Sequence, residues 1–269
     1  GDGDEDIYFA AAAGQPGALF LQKGKGQFTQ DTVNKSLFNA HRRHEDMTPL
    51  WFDLDSDGDL DLFVSSGGVE CNPGDPVLFD RLYLNDGKGK LTAAPKNVMP
   101  QKAISSGSAA ASDFDGDGDI DLFIGGRVIP GRYPETPESR LLQNNHGIFS
   151  DVTDTLAPNL RHIRMVTSAI WSDVQNDGKP DLLITLEWGS VRCFINQGGR
   201  LEDTTEKSQL SKRRGWWNAI TGADVDYETM SGLTPLIACA EKGSIKVAKA
   251  ILLDPFNRPL ADPFRKNKL

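Results

Sequence analysis

Asp113-Phe-Asp-Gly-Asp-Gly-Asp-Ile-Asp121 places a carboxylate at every second position of a nine-residue stretch. Because carboxylates this close repel one another, a loop of this composition is unfavourable on its own. A second copy, Asp53-Leu-Asp-Ser-Asp-Gly-Asp-Leu-Asp61, begins 60 residues earlier, and a third, diverged copy begins 60 residues later at Asp173. A fixed interval of this length indicates a repeat protein in which each repeat is one structural unit.

Each acidic stretch lies between two short apolar segments that are typical of strands, for example 48–52 before the copy at 53–61 and 62–64 after it. An apolar segment, a turn rich in Asn and Gly and a return segment follow, as in 82–91, which is a hairpin signal. One unit is therefore about four strands in roughly 60 residues, the pattern of a β-propeller blade. The sequence predicts an all-β fold, a partial propeller of about four four-stranded blades over residues 1–226.

The spacing of the acidic residues favours a calcium site. Counted from the first Asp, side chains at positions 1, 3 and 5 can converge, and Gly at position 6 permits a sharp turn. The carbonyl of position 7 and the carboxylate of position 9 can complete the set of hard oxygen ligands that Ca²⁺ takes. An EF-hand is disfavoured because position 12 is not Glu and the flanking segments are strands. The predicted ligands of two sites are Asp53, Asp55, Asp57, Asp59 and Asp61, and Asp113, Asp115, Asp117, Asp119 and Asp121.

The third copy predicts a weaker site. It has Gln175 at position 3 and Lys179 at position 7, where only the carbonyl is needed. Its predicted ligands are Asp173, Gln175, Asp177, Lys179 and Asp181. A fourth stretch beginning at Asp224 has Thr229 where Gly is required, so we expect no site there. A solvated acidic run is the alternative, but it explains neither the alternation nor the 60-residue interval.

Composition excludes some classes of partner. The chain has 269 residues, a net charge of −9 and a pI of about 5.0, which argues against a nucleic-acid partner. No apolar run approaches the ~20 residues of a membrane span. The chain opens inside a copy of the motif, since Asp2, Asp4 and Asp6 match positions 5, 7 and 9. The absence of a secretion signal is therefore uninformative.

These residues resemble the FG-GAP/VCBS repeat family over about residues 1–226. Stretches 80–89 and 125–134 are similar to secreted bacterial proteins of the ASPIC/UnbV-associated VCBS type. The resemblance implies an integrin-α-like calcium-binding propeller, extracellular or at the cell surface, that binds a protein or glycan and is not an enzyme. It also implies about seven blades, or about 420 residues at this interval, so we expect a fragment or an open arc whose missing blades belong to the rest of the natural chain.

The C-terminal part differs from the blades. Segments 222–226, 232–238 and 243–253 resemble a single ankyrin repeat. The resemblance implies a second segment, 227–269, with helix mainly over 234–253 and an irregular, Pro-containing tail. One such repeat cannot bury its apolar face alone, so we expect either docking on the last blade or a fused segment.

Two other functions compete with the binding module. The first is an enzyme acting on polysaccharides that uses the propeller as a scaffold; catalytic carboxylates, however, would not recur three times with Gly at position 6. The second is an interaction protein that uses the ankyrin-like tail. The five tryptophans suggest a glycan-stacking platform, but four of them lie in or beside predicted strands, which favours core packing. They are Trp51, Trp171, Trp188, Trp216 and Trp217.

Overall fold

The structure, a computed structural model, describes residues 4–224 and 235–241. It is an all-β arrangement of antiparallel sheets, and each larger sheet follows the order of its strands in the chain. The first sheet has three strands, β1 (Ile7–Phe9), β2 (Ala18–Gln22) and β3 (Phe28–Gln30). The second has β4 (Glu45–Phe52), β5 (Asp61–Gly67), β6 (Arg81–Asn85) and β7 (Leu91–Ala93).

The third and fourth sheets repeat this order. The third consists of β8 (Ser105–Ser112), β9 (Asp121–Val128), β10 (Arg140–Asn145) and β11 (Ile148–Asp151). The fourth consists of β12 (Val166–Ser172), β13 (Asp181–Leu186), β15 (Arg192–Asn196) and β16 (Leu201–Asp203). Two smaller ladders pair β14 (Gly189–Ser190) with β17 (Arg214–Gly215) and β18 (Trp217–Asp224) with β19 (Pro235–Glu241).

The first strands of successive sheets lie side by side. β4 packs beside β8, β8 beside β12, and β12 beside β18. Each sheet runs outward from this row of first strands to a short fourth strand. The arrangement confirms the predicted partial propeller-like all-β fold, with four strands in each of three complete sheets.

The second strand of each sheet forms the centre of the core. Residues 62–64, 122–124 and 182–184 are buried on both faces. Since a strand covered on both sides needs apolar side chains at consecutive positions, these runs are continuous rather than alternating. Side chains of neighbouring sheets share one cluster, as where Phe63 and Leu82 of the second sheet pack with Leu122 and Ile124 of the third.

Short helices occur in the connections between strands, where only strands and turns were expected. They are α1 (Lys35–Ala40) and α2 (Thr153–Leu156), with 3₁₀ turns at Pro76–Leu78 and Leu210–Lys212. None of the helices in the described ranges has the length and apolar character needed to cross a membrane.

The predicted helix over about 234–253 is wrong for Pro235–Glu241, which forms strand β19. This strand pairs antiparallel with β18 from Asp224↔Pro235 to Trp217↔Glu241, so the ladder satisfies main-chain groups that a helix would have satisfied internally. The other residues of the predicted helix and the boundary at 226/227 lie outside the described residues. The division into two segments stays a prediction, as does the ankyrin-like character of the tail.

Candidate metal centre

Each acidic loop joins the first strand of a sheet to its second strand. The residue before the loop pairs with position 9, as in Ser112↔Asp121 and its counterparts in the other two complete sheets. Gly58, Gly118 and Gly178 at position 6 have φ values of 91°, 97° and 81°. Only glycine adopts this region at no steric cost, so the predicted sharp turn at position 6 is confirmed.

The carboxylate at position 1 organises the turn. The main-chain N–H of the position-6 glycine donates to it at 2.9 Å for Asp53, 3.0 Å for Asp113 and 2.7 Å for Asp173. These bonds fold the first half of the loop back onto itself. The position-1 carboxylate is therefore fixed in place by the chain alone, with lone pairs left for a further partner.

Two loops bring three carboxylates together. In each of the two groups, one oxygen from every member lies within 4.8 Å of the others; the groups are Asp53, Asp55 and Asp61, and Asp113, Asp115 and Asp117. Within the described chain, the one loop carboxylate paired with a lysine or arginine is Asp177, with Lys179, and the His146 ring contacts Asp119; none of these carboxylates belongs to either group. Three carboxylates this close without a counter-charge fit a hard divalent cation.

Position 9 has a structural role in addition to any ligand role. Asp121 is fully buried, and its two oxygens accept hydrogen bonds from the main-chain N–H groups of Phe114 at 3.0 Å and Asn144 at 2.8 Å. Burial raises the pKa of this carboxyl to about 7, although the two N–H groups oppose the shift. Burial also raises the pKa of Asp61 and Asp181, which accept equivalent bonds.

Position 7 was predicted to contribute only its carbonyl, and the side chains point to other partners. The Asp119 carboxylate accepts the main-chain N–H of His146 at 2.8 Å, and His146 Nδ1 lies 3.2 Å from the same oxygen. The Asp59 carboxylate lies against Gly87, where a Cβ atom would collide with it. The Asp119 carboxylate therefore bonds its loop to the hairpin of the same sheet, and the Asp59 carboxylate packs against the equivalent hairpin.

The third loop has the same turn but not the same cluster. Lys179 Nζ lies 3.2 Å from Asp177 Oδ2, and this ammonium lowers the pKa of Asp177. Gln175 stands where the other loops have Asp55 and Asp115. The side chains of Asp173, Asp177 and Asp181 do not form a three-carboxylate group among the described residues. The Lys179 ammonium therefore neutralises part of the negative charge that a bound cation would otherwise neutralise.

Asparagines that the sequence analysis did not single out connect neighbouring loops. Asn144 Nδ2 donates to Leu54 O in the preceding loop at 2.8 Å, and Asn196 Nδ2 donates to Phe114 O at 2.5 Å. Gln143 also donates a hydrogen bond to Asp115. The available signal was the Asn at or next to the end of the third strand of each complete sheet, at 85, 144 and 196.

The incomplete N-terminal copy of the motif keeps the hydrogen bond made by the position-9 carboxylate. Asp6, which matches position 9, accepts the main-chain N–H of Gln22 at 2.9 Å. Gln22 ends the strand that corresponds to the third strand of a complete sheet. The bond is the counterpart of the one between Asn85 and Asp61 at 2.8 Å.

Comparison with known protein families supports the repeat found in the sequence. A family model described as FG-GAP-like repeat matches residues 1–64 and, overlapping them, 53–124. Both matches contain the loop at 53–61, and the second also contains the loop at 113–121. No curated protein matches the chain in a sequence search. The family match supports an FG-GAP/VCBS-type repeat protein, with FG-GAP-like repeats over residues 1–124 of this chain.

Proposed function

We propose that this protein is a calcium-stabilised, non-enzymatic propeller-like module that binds a protein or glycan outside the cell. FG-GAP-like repeats form propeller-like interaction modules, which supports the general class. The calcium sites, the extracellular location and the ligand are our inference. The observation that carries it is the convergence of Asp113, Asp115 and Asp117, with its counterpart at Asp53, Asp55 and Asp61.

The charges support a structural role for the ion. Bound calcium supplies positive charge that offsets the repulsion among the carboxylates of a loop. The chain itself holds the position-1 and position-9 carboxylates with main-chain N–H groups, so much of the site is preorganised. Each loop also connects the first two strands of its sheet, so loosening it would disturb the row of first strands, through which successive sheets contact one another.

The enzyme alternative has less support. The two carboxylate groups recur at the same place in two sheets, at the turn between the same two strands. Recurrence at equivalent turns is expected of a stabilising ion, whereas a catalytic site requires one pocket with an open coordination position. Of the predicted segment 227–269 on which the ankyrin-based alternative rests, the structure describes only 235–241, and these residues form a strand.

Calorimetric titration of metal-free protein with Ca²⁺ tests the proposal. We expect two sites that bind Ca²⁺ more tightly than the loop at 173–181, and we expect Asp113→Asn with Asp115→Asn, or Asp53→Asn with Asp55→Asn, to remove one of these two sites each. Glu135→Gln, which removes an exposed negative charge outside the loops, is the matched control and should leave both sites. Wild-type protein that takes up no Ca²⁺, or loop variants that titrate like the control, would contradict the proposal.

Thermal unfolding tests the structural role separately. A ligand that binds only the folded state stabilises it by about 2.7 kcal/mol per site at a hundredfold excess over its dissociation constant. We therefore expect a chelator to lower Tm by several degrees and Ca²⁺ to restore it. Mg²⁺ should restore little because it requires smaller, stricter octahedral sites. An unchanged Tm after proven removal of bound calcium would exclude the structural role.

A further inference from the structure

A cleft of about 590 Å³ lies beside the fourth sheet, within the roughly 300–1,000 Å³ typical of small-molecule ligand sites. Its walls include Arg164, Trp188, Arg192, Arg214 and Trp216, and we call it the Trp188 cleft. Strand β13 leaves the acidic loop at one end and reaches this cleft at the other. The cleft is therefore separate from the candidate calcium sites.

An exposed but fixed indole forms one wall of the Trp188 cleft. The Trp188 side chain is 48% exposed, and its ring centroid lies 4.7 Å from that of Trp216 with a 53° tilt between the planes. Trp188 Nε1–H donates to Tyr133 Oη at 2.9 Å, and that hydroxyl donates to Glu187 at 3.0 Å. Glu187 is itself buried and paired with Arg127. An aromatic ring held by such a chain while facing solvent is preorganised to stack on a ligand.

This finding changes the interpretation of the tryptophans. Trp51, Trp171 and Trp217 pack against core clusters, as expected. Trp188 and Trp216 instead pair with each other beside the cleft. They come from segments on either side of the fourth sheet's outer strands, which the ladder between β14 and β17 brings together.

Positive charge dominates the cleft although the chain as a whole carries a net charge of −9. The wall contains three arginines and one carboxylate, Glu206, which accepts a hydrogen bond from the Ser211 hydroxyl at 2.8 Å. Arg192 pairs with Asp203 outside the wall. Arg164 and Arg214 have no carboxylate partner among the residues that the structure describes. Two guanidinium groups are thus available to an anion.

The backbone positions one of these groups at a cost. Arg164 has a φ of 99°, a conformation that is strained for a residue with a side chain. The adjoining chain is anchored, since the Glu187 N–H donates to Met165 O at 2.9 Å. The Arg164 guanidinium reaches the rim, where it donates to Trp188 O at 3.5 Å.

We propose that the Trp188 cleft binds an acidic saccharide, with a sugar ring on the indole of Trp188 and a uronate carboxylate on Arg164 or Arg214. A pyranose presents a face of C–H bonds to an aromatic ring, and guanidinium groups recognise carboxylates in a planar, bidentate manner. A neutral glycan would leave both guanidinium groups without a carboxylate partner. An acidic peptide would use the arginines but would not need the exposed, oriented indole. The proposal specifies a ligand class for the interaction function above and rests on that function in taking a glycan as the partner.

The test titrates calcium-loaded protein with tetragalacturonate, tetramannuronate and a chondroitin tetrasaccharide, read by calorimetry and by tryptophan fluorescence. Methyl-esterified tetragalacturonate is the matched ligand, because it keeps the rings and lacks the charges. We expect binding of at least one acidic saccharide, and loss of roughly tenfold or more in affinity for its uncharged form.

Variants locate the binding. Arg164→Gln and Arg214→Gln should each weaken affinity roughly tenfold, and Trp188→Ala at least as much, whereas Trp188→Phe should retain part of it. Arg43→Gln removes the same charge from an exposed site near the second sheet and should bind like wild type. Calcium uptake, measured on the same samples, should be unchanged in every variant, so failure of this proposal is distinguishable from failure of the calcium proposal.

Three results would overturn the inference. One is the absence of binding to all three acidic saccharides at millimolar concentration. Another is equal weakening by Arg43→Gln and Arg214→Gln, which would indicate unspecific charge attraction. The third is equally tight binding of hexaglutamate that Trp188→Ala does not weaken, which would assign the cleft to acidic peptides.

Discussion

Asn144 connects two acidic loops that belong to different sheets. Its side-chain amide donates to Leu54 O of the preceding loop at 2.8 Å, and its main-chain N–H donates to Asp121 of its own loop at 2.8 Å. Its Oδ1 accepts the N–H of Gly147 at 2.9 Å, so both polar atoms of the side chain are hydrogen-bonded. Asn196 repeats this set of bonds one sheet later. Hydrogen bonds from these asparagines therefore connect the acidic loops of neighbouring sheets.

We expect Asn144→Ala to lower the free energy of unfolding by about 1–3 kcal/mol, because it leaves the buried carbonyl of Leu54 without a donor. Urea denaturation measures this loss. Hydrogen exchange should show faster opening of the loop at 53–61, which lies in the neighbouring sheet.

The matched control is Asn145→Ala, one residue along and exposed. It should change stability by less than about 0.5 kcal/mol. Equal destabilisation by the two substitutions, or unchanged exchange in the loop at 53–61, would exclude the link between sheets.

A buried ion pair joins the second and third sheets. Arg140 donates a hydrogen bond to Asp80, and both side chains are at most 1% exposed. Asp80 also accepts the N–H of Ser66 at 2.8 Å and the hydroxyl of Ser106 at 3.1 Å. Arg140→Met should cost about 3–5 kcal/mol in urea denaturation because it leaves a buried carboxylate without its counter-charge.

The exposed pair of Arg132 and Glu135 provides the control, since its side chains are about 60% exposed. Arg132→Met should cost less than about 1 kcal/mol. The double variant Asp80→Asn with Arg140→Met should be more stable than Arg140→Met alone. Equal stability of the two variants would show that the unpaired carboxylate is not the cause of the loss.

Asp151 should make stability depend on pH in the acid range. Burial would raise the pKa of this carboxyl, but hydrogen bonds from Thr153 and Arg161 outweigh burial and lower the pKa to about 2. A depressed carboxyl pKa stabilises the folded state above the unfolded value of about 3.9, and this contribution is lost as pH falls from about 4 to about 2. Asp151→Asn should therefore lower the free energy of unfolding by about 2 kcal/mol at pH 7.

The difference between wild type and Asp151→Asn should shrink as the pH of the denaturation experiment falls below about 4. Asp154→Asn is the control, because Asp154 contacts the same Arg161 at 2.7 Å from a more exposed position. It should have a smaller effect at pH 7. A stability difference for Asp151→Asn that does not vary with pH would show that the charge of Asp151 is not responsible.

Two substitutions make the loop at 173–181 more similar to the loop at 113–121. Gln175→Asp with Lys179→Asp restores the acidic residues at positions 3 and 7 and removes the ammonium that lies 3.2 Å from Asp177. We expect calorimetry to show tighter calcium binding by one site than in wild type. Lys207→Asp, which makes the same substitution as Lys179→Asp at an exposed lysine outside the loop, should not have this effect. An unchanged titration would contradict the prediction that positions 3 and 7 limit calcium binding by this loop.

Local chemistry in the sequence was enough to predict the repeat, the strands and the turns. The strands that flank each loop, the hairpins after them and the glycine at position 6 all follow from residues close together in the chain. The constant interval of 60 residues then indicates that each repeat has the same order of strands and turns. For these reasons the partial propeller-like fold could be predicted before any contact between sheets was known.

Packing between distant segments decided the rest. Asp61 joins the carboxylate group of the first full loop, whereas Asp117 joins that of the second, although the two loops are nearly identical in sequence. Asn144 meets Leu54 across 90 residues, and Trp188 meets Trp216 only because two strands outside the repeat pattern pair. Pro235–Glu241 is a strand because β18 offers it hydrogen-bonding partners. The sequence alone determined which groups each loop carries, since that depends on neighbours in the chain; tertiary structure determined which groups meet, since that depends on the register and packing of segments far apart.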